Sequence, residues 1–324
     1  MNRPGDPVVL TGARLTALIG TVPADIVGFR WEGGWAQIPI QVDERMVVDF
    51  GTVYDTTATG LTFLTYADGG TFTGEDGNPR FDLDDELAFM ARHAGGISLA
   101  SAHPAGVVPG TGLELAITDP LTGDVGYVYF FRSGTLAPGA GQSLVDYQFN
   151  LLSGDYKTTY NTSHGPNPEN SVVTTPSYSV HFSDRWIRDE TAITAGGATG
   201  VDIIDRHKTL FAPGNCGRSE DTFSAGEGAF IVNRSGPVRA IRGYVGANSG
   251  PTTYRIHTFY EAREEIFNAV RVHPIQSVVD FYDYSPAAVG MTYHDDLNIA
   301  GVVVDGVPDV IVLGQIVWEM VTGG

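Results

Sequence analysis

Hydrophobic and polar residues alternate along most of the chain with the period of two that is typical of β-strands. The alternating segments are short, rich in β-branched and aromatic residues, and bounded by Gly, Pro, Asn or Asp. The predicted strands are LELAIT (113–118), GYVYFF (126–131), SYSVHF (177–182), GAFIVN (228–233), PVRAIRGYV (237–245), TYRIHTFYE (253–261) and AVRVHP (269–274). Strands this frequent, separated by Gly- and Asn-rich turns, favour an all-β antiparallel sandwich or barrel over a βαβ sheet.

Helical periodicity is weak everywhere in the chain. The best candidate is DLDDELAFMARHAG, residues 82–95, where Leu83, Leu87 and Met90 have helical spacing. The same stretch also alternates between polar and apolar residues, and we predict that it forms a strand.

Two stretches without strand character interrupt the pattern. Residues 133–142, SGTLAPGAGQ, contain Gly, Pro, Ala and Ser, which could not fill a core strand. We therefore predict a boundary there, with an N-terminal β unit over 1–140 and a C-terminal antiparallel sandwich over 141–324. Residues 161–176 are rich in Asn, Ser, Thr and Pro and are predicted to form a long surface loop.

Composition indicates a folded, acidic protein. The 324 residues are 42% hydrophobic and only 18% charged, so the chain can bury a core. Its formal net charge is −19, and Lys157 and Lys208 are its only lysines. Binding to nucleic acid requires Lys and Arg to neutralise phosphates, so we expect no nucleic-acid partner. The acidic, Gly-rich composition instead suggests an extracellular or cell-surface protein.

Cysteine content and hydropathy add two expectations. Cys216 is the only cysteine, so no intrachain disulfide can form. No apolar run reaches the roughly 18–20 residues that span a bilayer, so we expect no transmembrane segment. The N-terminus has no signal-peptide hydrophobic region, and an exported protein would already have lost its signal peptide.

An acidic cluster between residues 68 and 86 is the first candidate site. The sequence DGGTFTGEDGNPRFDLDDE combines many carboxylates with Gly and Asn, which allow a loop to turn sharply around an ion. Calcium takes six to eight oxygen ligands, so we expect a bound calcium here, mostly structural, with a solvated turn as the alternative. The predicted ligands are Glu75, Asp76, Asn78, Asp82, Asp84 and Asp85.

A basic sheet face in the C-terminal half is the second candidate site. If residues 238–245, 253–261 and 266–273 are successive antiparallel strands, alternate side chains share one face. That face would present Arg242 or Arg239, Arg255, His257, Arg271 and His273. Such a cluster on an acidic protein suits an anionic substrate, because Arg binds carboxylates in bidentate fashion and His exchanges protons near neutral pH.

Uronate-containing polysaccharides are the anionic substrates that we expect. Their β-elimination requires a cation on the carboxylate, a base for the adjacent proton and an acid for the leaving oxygen. We assign His257 or His273 as the base and a tyrosine, Tyr254, as the acid. The residues expected to hold the carboxylate are Arg239, Arg255 and Arg271.

The basic residues also allow a purely structural interpretation. Arg and His on a sheet face commonly pair across strands with carboxylates, here Glu261, Glu264 or Asp280. The sequence contains no G-x-S-x-G elbow, no P-loop and no dinucleotide-binding G-x-G-x-x-G after a strand.

Residues 236–274, GPVRAIRGYVGANSGPTTYRIHTFYEAREEIFNAVRVHP, resemble the central region of exo-rhamnogalacturonan-lyase-like and related polysaccharide-lyase proteins. WAQIPIQVDER, residues 35–45, resembles the small β-barrel segment that precedes that region. The resemblance covers about a third of the chain. It implies a galactose-mutarotase-like supersandwich that acts on acidic polysaccharide, with functional roles carried over to Arg239, His257 and His273.

A second class of function fits the same sequence. High Gly and Thr content, few lysines and the lack of a complete catalytic set also suit a non-catalytic protein. Such a protein would be a self-assembling structural subunit at the cell surface or a glycan-binding module. We therefore expect an extracellular carbohydrate-active lyase. The alternative is this non-catalytic protein, and self-association is the further partner that we expect to test.

Overall fold

The protein is an all-β molecule, and every strand pairing among the described residues is antiparallel. The computed structural model describes residues 3–54, 60–154, 168–184, 187–211, 218–219, 228–246, 252–271, 278–294 and 299–307. Helical structure in these ranges is limited to α1, Gly51–Tyr54, and to 3-10 turns at Gly12–Arg14, Thr16–Leu18, Pro23–Asp25, Ala91–His93, Ala195–Gly197 and Pro286–Ala288. None of the described sheets closes into a barrel, and the predicted all-β sandwich is confirmed.

The N-terminal half packs two sheets against each other. Its strands are β1 Pro7–Thr11, β2 Ile26–Trp31, β3 Trp35–Ile38, β4 Gln41–Asp43, β5 Arg45–Asp49, β6 Thr62–Tyr66, β7 Glu86–Met90, β8 Leu113–Thr118 and β9 Val125–Arg132. The first sheet has the order β1-β7-β4 and the second has the order β3-β2-β9-β8. Leu87, Phe89 and Phe130 are fully buried between them. The predicted strand in residues 82–95 is present as β7.

The C-terminal half contains the larger sheets. Its strands are β10 Asp146–Gln148, β11 Ser171–Thr174, β12 Tyr178–Asp184, β13 Ile187–Ile193, β14 Ile204–Phe211, β15 Arg218–Ser219, β16 Gly228–Ser235, β17 Ala240–Gly246, β18 Thr252–Tyr260, β19 Arg263–Arg271, β20 Val278–Tyr284, β21 Thr292–Tyr293 and β22 Val302–Val303. A seven-stranded sheet runs from β10 to β15, with β20 paired to β14. We call the four-stranded sheet β16-β17-β18-β19 the central sheet.

The central sheet is covered on both faces. One face packs on the seven-stranded sheet, where Phe259 and Ala240 meet Phe182 and Val180. The other face packs on the β5–β6 hairpin and α1 through a second apolar cluster. All seven residues of β17 are consequently buried.

One predicted loop contains a strand. Ser171–Thr174 form β11, which pairs with both β10 and β12, within the stretch 161–176 that was predicted to be a surface loop. The loop prediction is wrong there because Val173 is fully buried in the core, where it packs with Val180 and Phe182. Residues 155–167 lie outside the described residues.

A buried ion pair holds the seven-stranded sheet to the central sheet. Both Nη atoms of Arg242 donate to the Glu169 carboxylate, at 2.8 and 2.6 Å, and both side chains are 0% exposed. The guanidinium also lies 4.0 Å from the ring centroid of Phe182. The Tyr147 hydroxyl accepts a further hydrogen bond from Arg242 and donates one to Asn233. Each partner therefore satisfies a charge that would otherwise be costly to bury.

We expect Glu169→Gln to destabilise the protein by about 3–5 kcal/mol, because it leaves the Arg242 charge buried without its counterion. Denaturant unfolding would measure the change. The matched control is Glu190→Gln, at an exposed position of β13, which should change stability by no more than about 0.5 kcal/mol. Equal unfolding midpoints for the two variants would contradict the prediction.

Candidate functional site

The predicted basic face exists, but it lies in the interior. Arg242 pairs with His257, and Tyr244 pairs with Arg255, so these side chains share one face of the central sheet as the period of two predicted. Arg242, Arg255 and His257 are 0%, 1% and 2% exposed because the seven-stranded sheet covers them. For Arg242, Arg255 and His257, the expectation that the face is available to a polymeric substrate is therefore wrong.

His257 is held by a carboxylate that sequence analysis named as a pairing partner. Its Nδ1 lies 2.7 Å from an Oε1 of Glu264, and Glu264 also accepts a hydrogen bond from Arg188. Burial lowers the pKa of His257 to about 3, against the smaller opposing effect of Glu264. Burial alone would raise the pKa of Glu264, but Arg188 and His257 outweigh it and hold that pKa well below its ordinary value. This contact fits the structural interpretation of the histidine.

The other predicted residues of this face have different positions. The Nη2 of Arg255 lies 3.4 Å from the Nε2 of His207, whose ring stacks on Tyr282 at a centroid distance of 4.0 Å. Arg271 is the last residue of β19 and pairs with Thr252. His273 lies outside the described residues. Of the predicted base and carboxylate-binding residues whose side chains the structure describes, His257 and Arg255 are therefore enclosed and form no accessible surface.

An accessible site lies on the opposite face of the central sheet. A cleft of about 550 Å³ separates the β5–β6 hairpin from strands β18 and β19. Its lining residues are Val9, Arg45, Phe63, Leu64, Thr65, Tyr66, Glu86, Arg239, Tyr254, Ile256, Thr258, Tyr260, Glu265, Ile266 and Phe267. Two of the residues predicted from sequence, Arg239 and Tyr254, are among them.

A charged network forms the floor of the cleft. Arg239 donates from Nε to Asp43 at 2.9 Å and from Nη2 to Glu86 at 2.7 Å. Glu86 also accepts hydrogen bonds from Arg45 at 2.7 Å and from the Tyr66 hydroxyl at 2.8 Å. We call these five residues the Arg239 cluster. Because its members come from β4, β5, β6, β7 and the residue preceding β17, the cluster forms only when these strands have packed.

A glutamine positions Arg239. The Gln41 Oε1 accepts hydrogen bonds from the backbone N–H groups of Val238 and Arg239, and its Nε2 donates to Asp43. Gly236 allows this close approach, because a Cβ there would lie 2.3 Å from the Gln41 side chain. The backbone and the guanidinium of Arg239 are therefore both fixed before any ligand arrives.

Aromatic rings form one wall of the cleft. Phe63 and Tyr254 have ring centroids 4.4 Å apart, and Phe267 lies 6.5 and 6.3 Å from them. Phe267 is 54% exposed although it lies beside these largely buried rings. The hydroxyl groups of Tyr254 and Thr65 are hydrogen-bonded, with 2.7 Å between their oxygens. Tyr254 is 3% exposed. An exposed apolar ring and a polar floor therefore line the same cleft.

The cleft is equipped for hydrogen bonding more than for proton transfer. Burial raises the pKa values of Tyr66, Tyr254 and Tyr260 above the ordinary tyrosine value, so all three are protonated hydroxyls at neutral pH. Burial would also raise the pKa of Glu86, but Arg239 and Arg45 outweigh it and lower that pKa. Glu86 is therefore an ionised acceptor at neutral pH.

The acidic cluster is only partly brought together. Asp82, Asp84 and Asp85 place carboxylate oxygens within 4.8 Å of one another. Asp82 accepts a hydrogen bond from the Asn78 amide at 2.9 Å. Asp85 accepts from the backbone N–H groups of Arg45 and Asp82, each at 2.8 Å. Three of the predicted ligands thus offer oxygens to a cation, although Asn78 and Asp85 also hold the loop.

Glu75 and Asp76 have other contacts in this loop. The Glu75 side chain packs against Gly69, and Asp76 accepts a hydrogen bond from the backbone of Asn78 at 3.1 Å. Glu44 belongs to the same electrostatic group, although sequence analysis did not select it: burial raises its pKa, followed by the charge of Asp85. Burial, and a hydrogen bond that protonated Asp84 donates to the Asp82 carboxylate, raise the pKa of Asp84 to about 6. Asp84 is therefore harder to ionise than an ordinary aspartate, in part because Asp82 and Asp85 are negatively charged neighbours.

Most of the residues that line the cleft were not among the site residues predicted from the sequence. Gln41, Asp43 and Arg45 occupy every second position of one strand region, which is a signal of a shared polar face. Glu86 opens the apolar strand ELAFM and gave no comparable signal. Phe267 was part of a predicted strand, but its exposure follows from how the β5–β6 hairpin packs and cannot be read from periodicity.

Comparison with known protein families, with curated proteins and with solved structures found no match to this chain. The resemblance to polysaccharide lyases in residues 35–45 and 236–274 therefore stays a prediction. Among the described residues, the helices are too short to cross a bilayer.

We expect the His257 environment to make the protein acid-sensitive. The folded pKa of about 3 is below the unfolded value of 6.5, so the unfolded chain binds a proton first as pH falls. The resulting stability is present above pH 6.5 and is lost progressively toward pH 3. Between pH 7 and pH 5 the loss from this histidine should be about 2 kcal/mol.

Denaturant unfolding at both pH values would test this expectation in the wild type and in His257→Gln, which retains a donor for Glu264. The variant should lose less stability on acidification. His103→Gln, at an exposed histidine, controls for removing a histidine. Identical pH dependence in wild type and His257→Gln would contradict the assignment.

Calcium at the Asp82–Asp84–Asp85 group stays a prediction, and thermal unfolding can test it. Millimolar calcium should raise the melting temperature, because the bound cation would neutralise the repulsion among these carboxylates. A chelator should reverse the rise. Asp84→Asn should lose the response, whereas Asp124→Asn, at an exposed turn, should retain it. No shift upon chelation and calcium addition would rule out the site.

Proposed function

We propose that the protein binds carbohydrate in the cleft between the β5–β6 hairpin and the central sheet. The observation that supports this most directly is that the exposed Phe267 ring and the polar residues Arg45, Glu86 and Arg239 line one cleft of about 550 Å³. The proposal corresponds to the glycan-binding alternative from the sequence, with the binding residues moved from one face of the central sheet to the other.

The two sides of the cleft match the two kinds of surface on a sugar ring. A pyranose has apolar C–H faces, which pack on aromatic rings, and hydroxyl edges, which require hydrogen-bond partners. Phe267 and Phe63 offer the apolar surface, while Glu86, Arg45 and Tyr260 offer acceptors and donors. A ligand that is apolar on one side only or polar all round would leave one wall of the cleft without a partner.

The size and rigidity of the cleft also favour binding. Its volume falls within the range of about 300–1,000 Å³ that is typical of small-molecule sites. Its polar floor is fixed by Gln41 and by the ion pairs of Arg239 in the absence of a ligand. A pre-formed site loses little conformational entropy when the ligand enters.

The geometry favours binding over elimination. In the lyase mechanism predicted from sequence, the base is His257 or His273. His257 is buried on the opposite face with a pKa of about 3, and His273 lies outside the described residues. Tyr254 and Arg239 do line the cleft, but the Tyr254 hydroxyl is engaged with Thr65. An extracellular location remains part of this proposal, because it is where a glycan-binding protein meets its ligand.

We expect Phe267→Ala to weaken sugar binding at least tenfold, since the ring supplies the exposed part of the aromatic wall. Calorimetric titration against a panel of oligosaccharides would measure the loss. The side chain is half exposed, so the fold should survive the substitution.

Phe149→Ala is the matched control, because Phe149 is 45% exposed and does not line the cleft. It should bind sugar as the wild type does. Equal affinities for Phe267→Ala and Phe149→Ala, or no binding of any sugar by the wild type, would overturn the proposal. Ultraviolet absorbance of the unsaturated uronate product, recorded on the same samples, would reveal the lyase activity predicted from sequence.

A further inference from the structure

The charges in the cleft are balanced, and this balance limits which sugars fit. The charged side chains that line the cleft are Arg45, Glu86, Arg239 and Glu265. Arg45 is paired with Glu86, and Arg239 is paired with both Glu86 and Asp43. At the rim, Glu265 is paired with Arg263. Beyond the lining residues, Asp43 also lies 3.7 Å from Arg234, and Arg263 also lies 3.8 Å from Asp6. Each arginine of this group therefore has a carboxylate partner within the protein.

We infer that the cleft selects uncharged sugars and discriminates against uronates. The inference rests on the proposed function and names the class of sugar. It departs from the expectation of an acidic polysaccharide, which assumed that the arginines were available for a substrate carboxylate. Arg239 and Arg45 instead have their counterions within the protein.

A uronate would have to displace a protein carboxylate to reach Arg239. Glu86 and Asp43 are 14% and 1% exposed, so a displaced carboxylate would remain buried without its cation. Breaking one partner from a buried ion pair is strongly unfavourable. The net charge of −19 adds long-range repulsion of anionic polymers.

An uncharged sugar requires no such displacement. A hydroxyl can donate to the Glu86 carboxylate and accept from the Tyr260 hydroxyl while the ion pairs stay intact. Carboxylate oxygens have about four acceptor sites, and the three hydrogen bonds from Arg45, Tyr66 and Arg239 leave room for one more on Glu86. Discrimination therefore comes from the cost imposed on the wrong ligand as well as from contacts with the right one.

The test compares neutral and uronate oligosaccharides of equal length by calorimetric titration at low and high salt. We expect neutral sugars to bind at least tenfold more tightly, with little dependence on salt. Tighter binding of uronates that weakens with salt would overturn this inference and leave the proposed function in place. Failure of both classes to bind would overturn the proposed function itself.

Two variants probe the charge balance directly. Glu86→Gln removes one negative charge from the floor with almost no change in shape. It should reduce the ratio of neutral-sugar affinity to uronate affinity at least threefold. Glu265→Gln makes the same change at the rim, at a residue that is 42% exposed, where folding does not depend on the charge. Glu190→Gln is the matched control away from the cleft. An unchanged preference in folded Glu86→Gln and Glu265→Gln would contradict charge balance as the cause.

Discussion

The burial of Arg239 between Asp43 and Glu86 is the constraint on which the rest of the structure depends. The guanidinium is 2% exposed and would be very costly to bury without both carboxylates. Asp43 belongs to β4 and Glu86 to β7, while Arg239 directly precedes β17. The N-terminal sandwich and the central sheet must therefore dock in one arrangement to satisfy the charge. The same arrangement places the β5–β6 hairpin, through Arg45 and Tyr66, above the central sheet and so creates the cleft.

The central sheet uses its two faces differently, although both contain arginine. On the face toward the seven-stranded sheet, Arg242 and His257 are closed off and paired with Glu169 and Glu264. These pairs give the sandwich interior a specific set of partners that apolar packing alone would not define. On the other face, the Arg239 cluster lies at the bottom of an open cleft. The difference arises from what covers each face, a broad sheet in one case and a narrow hairpin in the other.

Hydrophobic periodicity predicted much of this architecture, because the alternation of side chains along a strand depends only on neighbouring residues in the sequence. The alternation in residues 237–245 and 253–261 correctly placed Arg242, Arg255 and His257 on one face, and the register confirms it. Exposure depends on a partner sheet that is distant in sequence, and no local pattern distinguishes a covered polar face from an open one. Burial of Arg242 requires Glu169, which lies in a stretch whose Asn and Pro content indicated a loop. The buried pair could therefore not be predicted, because the sequence around Arg242 indicates a strand and the sequence around Glu169 indicates a surface loop.

Both arginines of the Arg239 cluster are paired with carboxylates, and this limits what the cleft can do. Active sites often retain unpaired or strained groups at a cost in stability, because the transition state supplies the missing partner. In the Arg239 cluster, each arginine has a counterion and the carboxylates have several donors before a ligand binds. Such a floor would do little to stabilise a charge that develops in a transition state. It can still form hydrogen bonds with hydroxyl groups without rearranging. On the proposed function, affinity would then depend on the wall, because the exposed Phe267 ring is apolar surface in the cleft that a sugar could cover. The Arg239 cluster stabilises the fold with its charges already paired, and on the proposed function the same cluster would accept hydrogen bonds from a neutral ligand without losing those pairs.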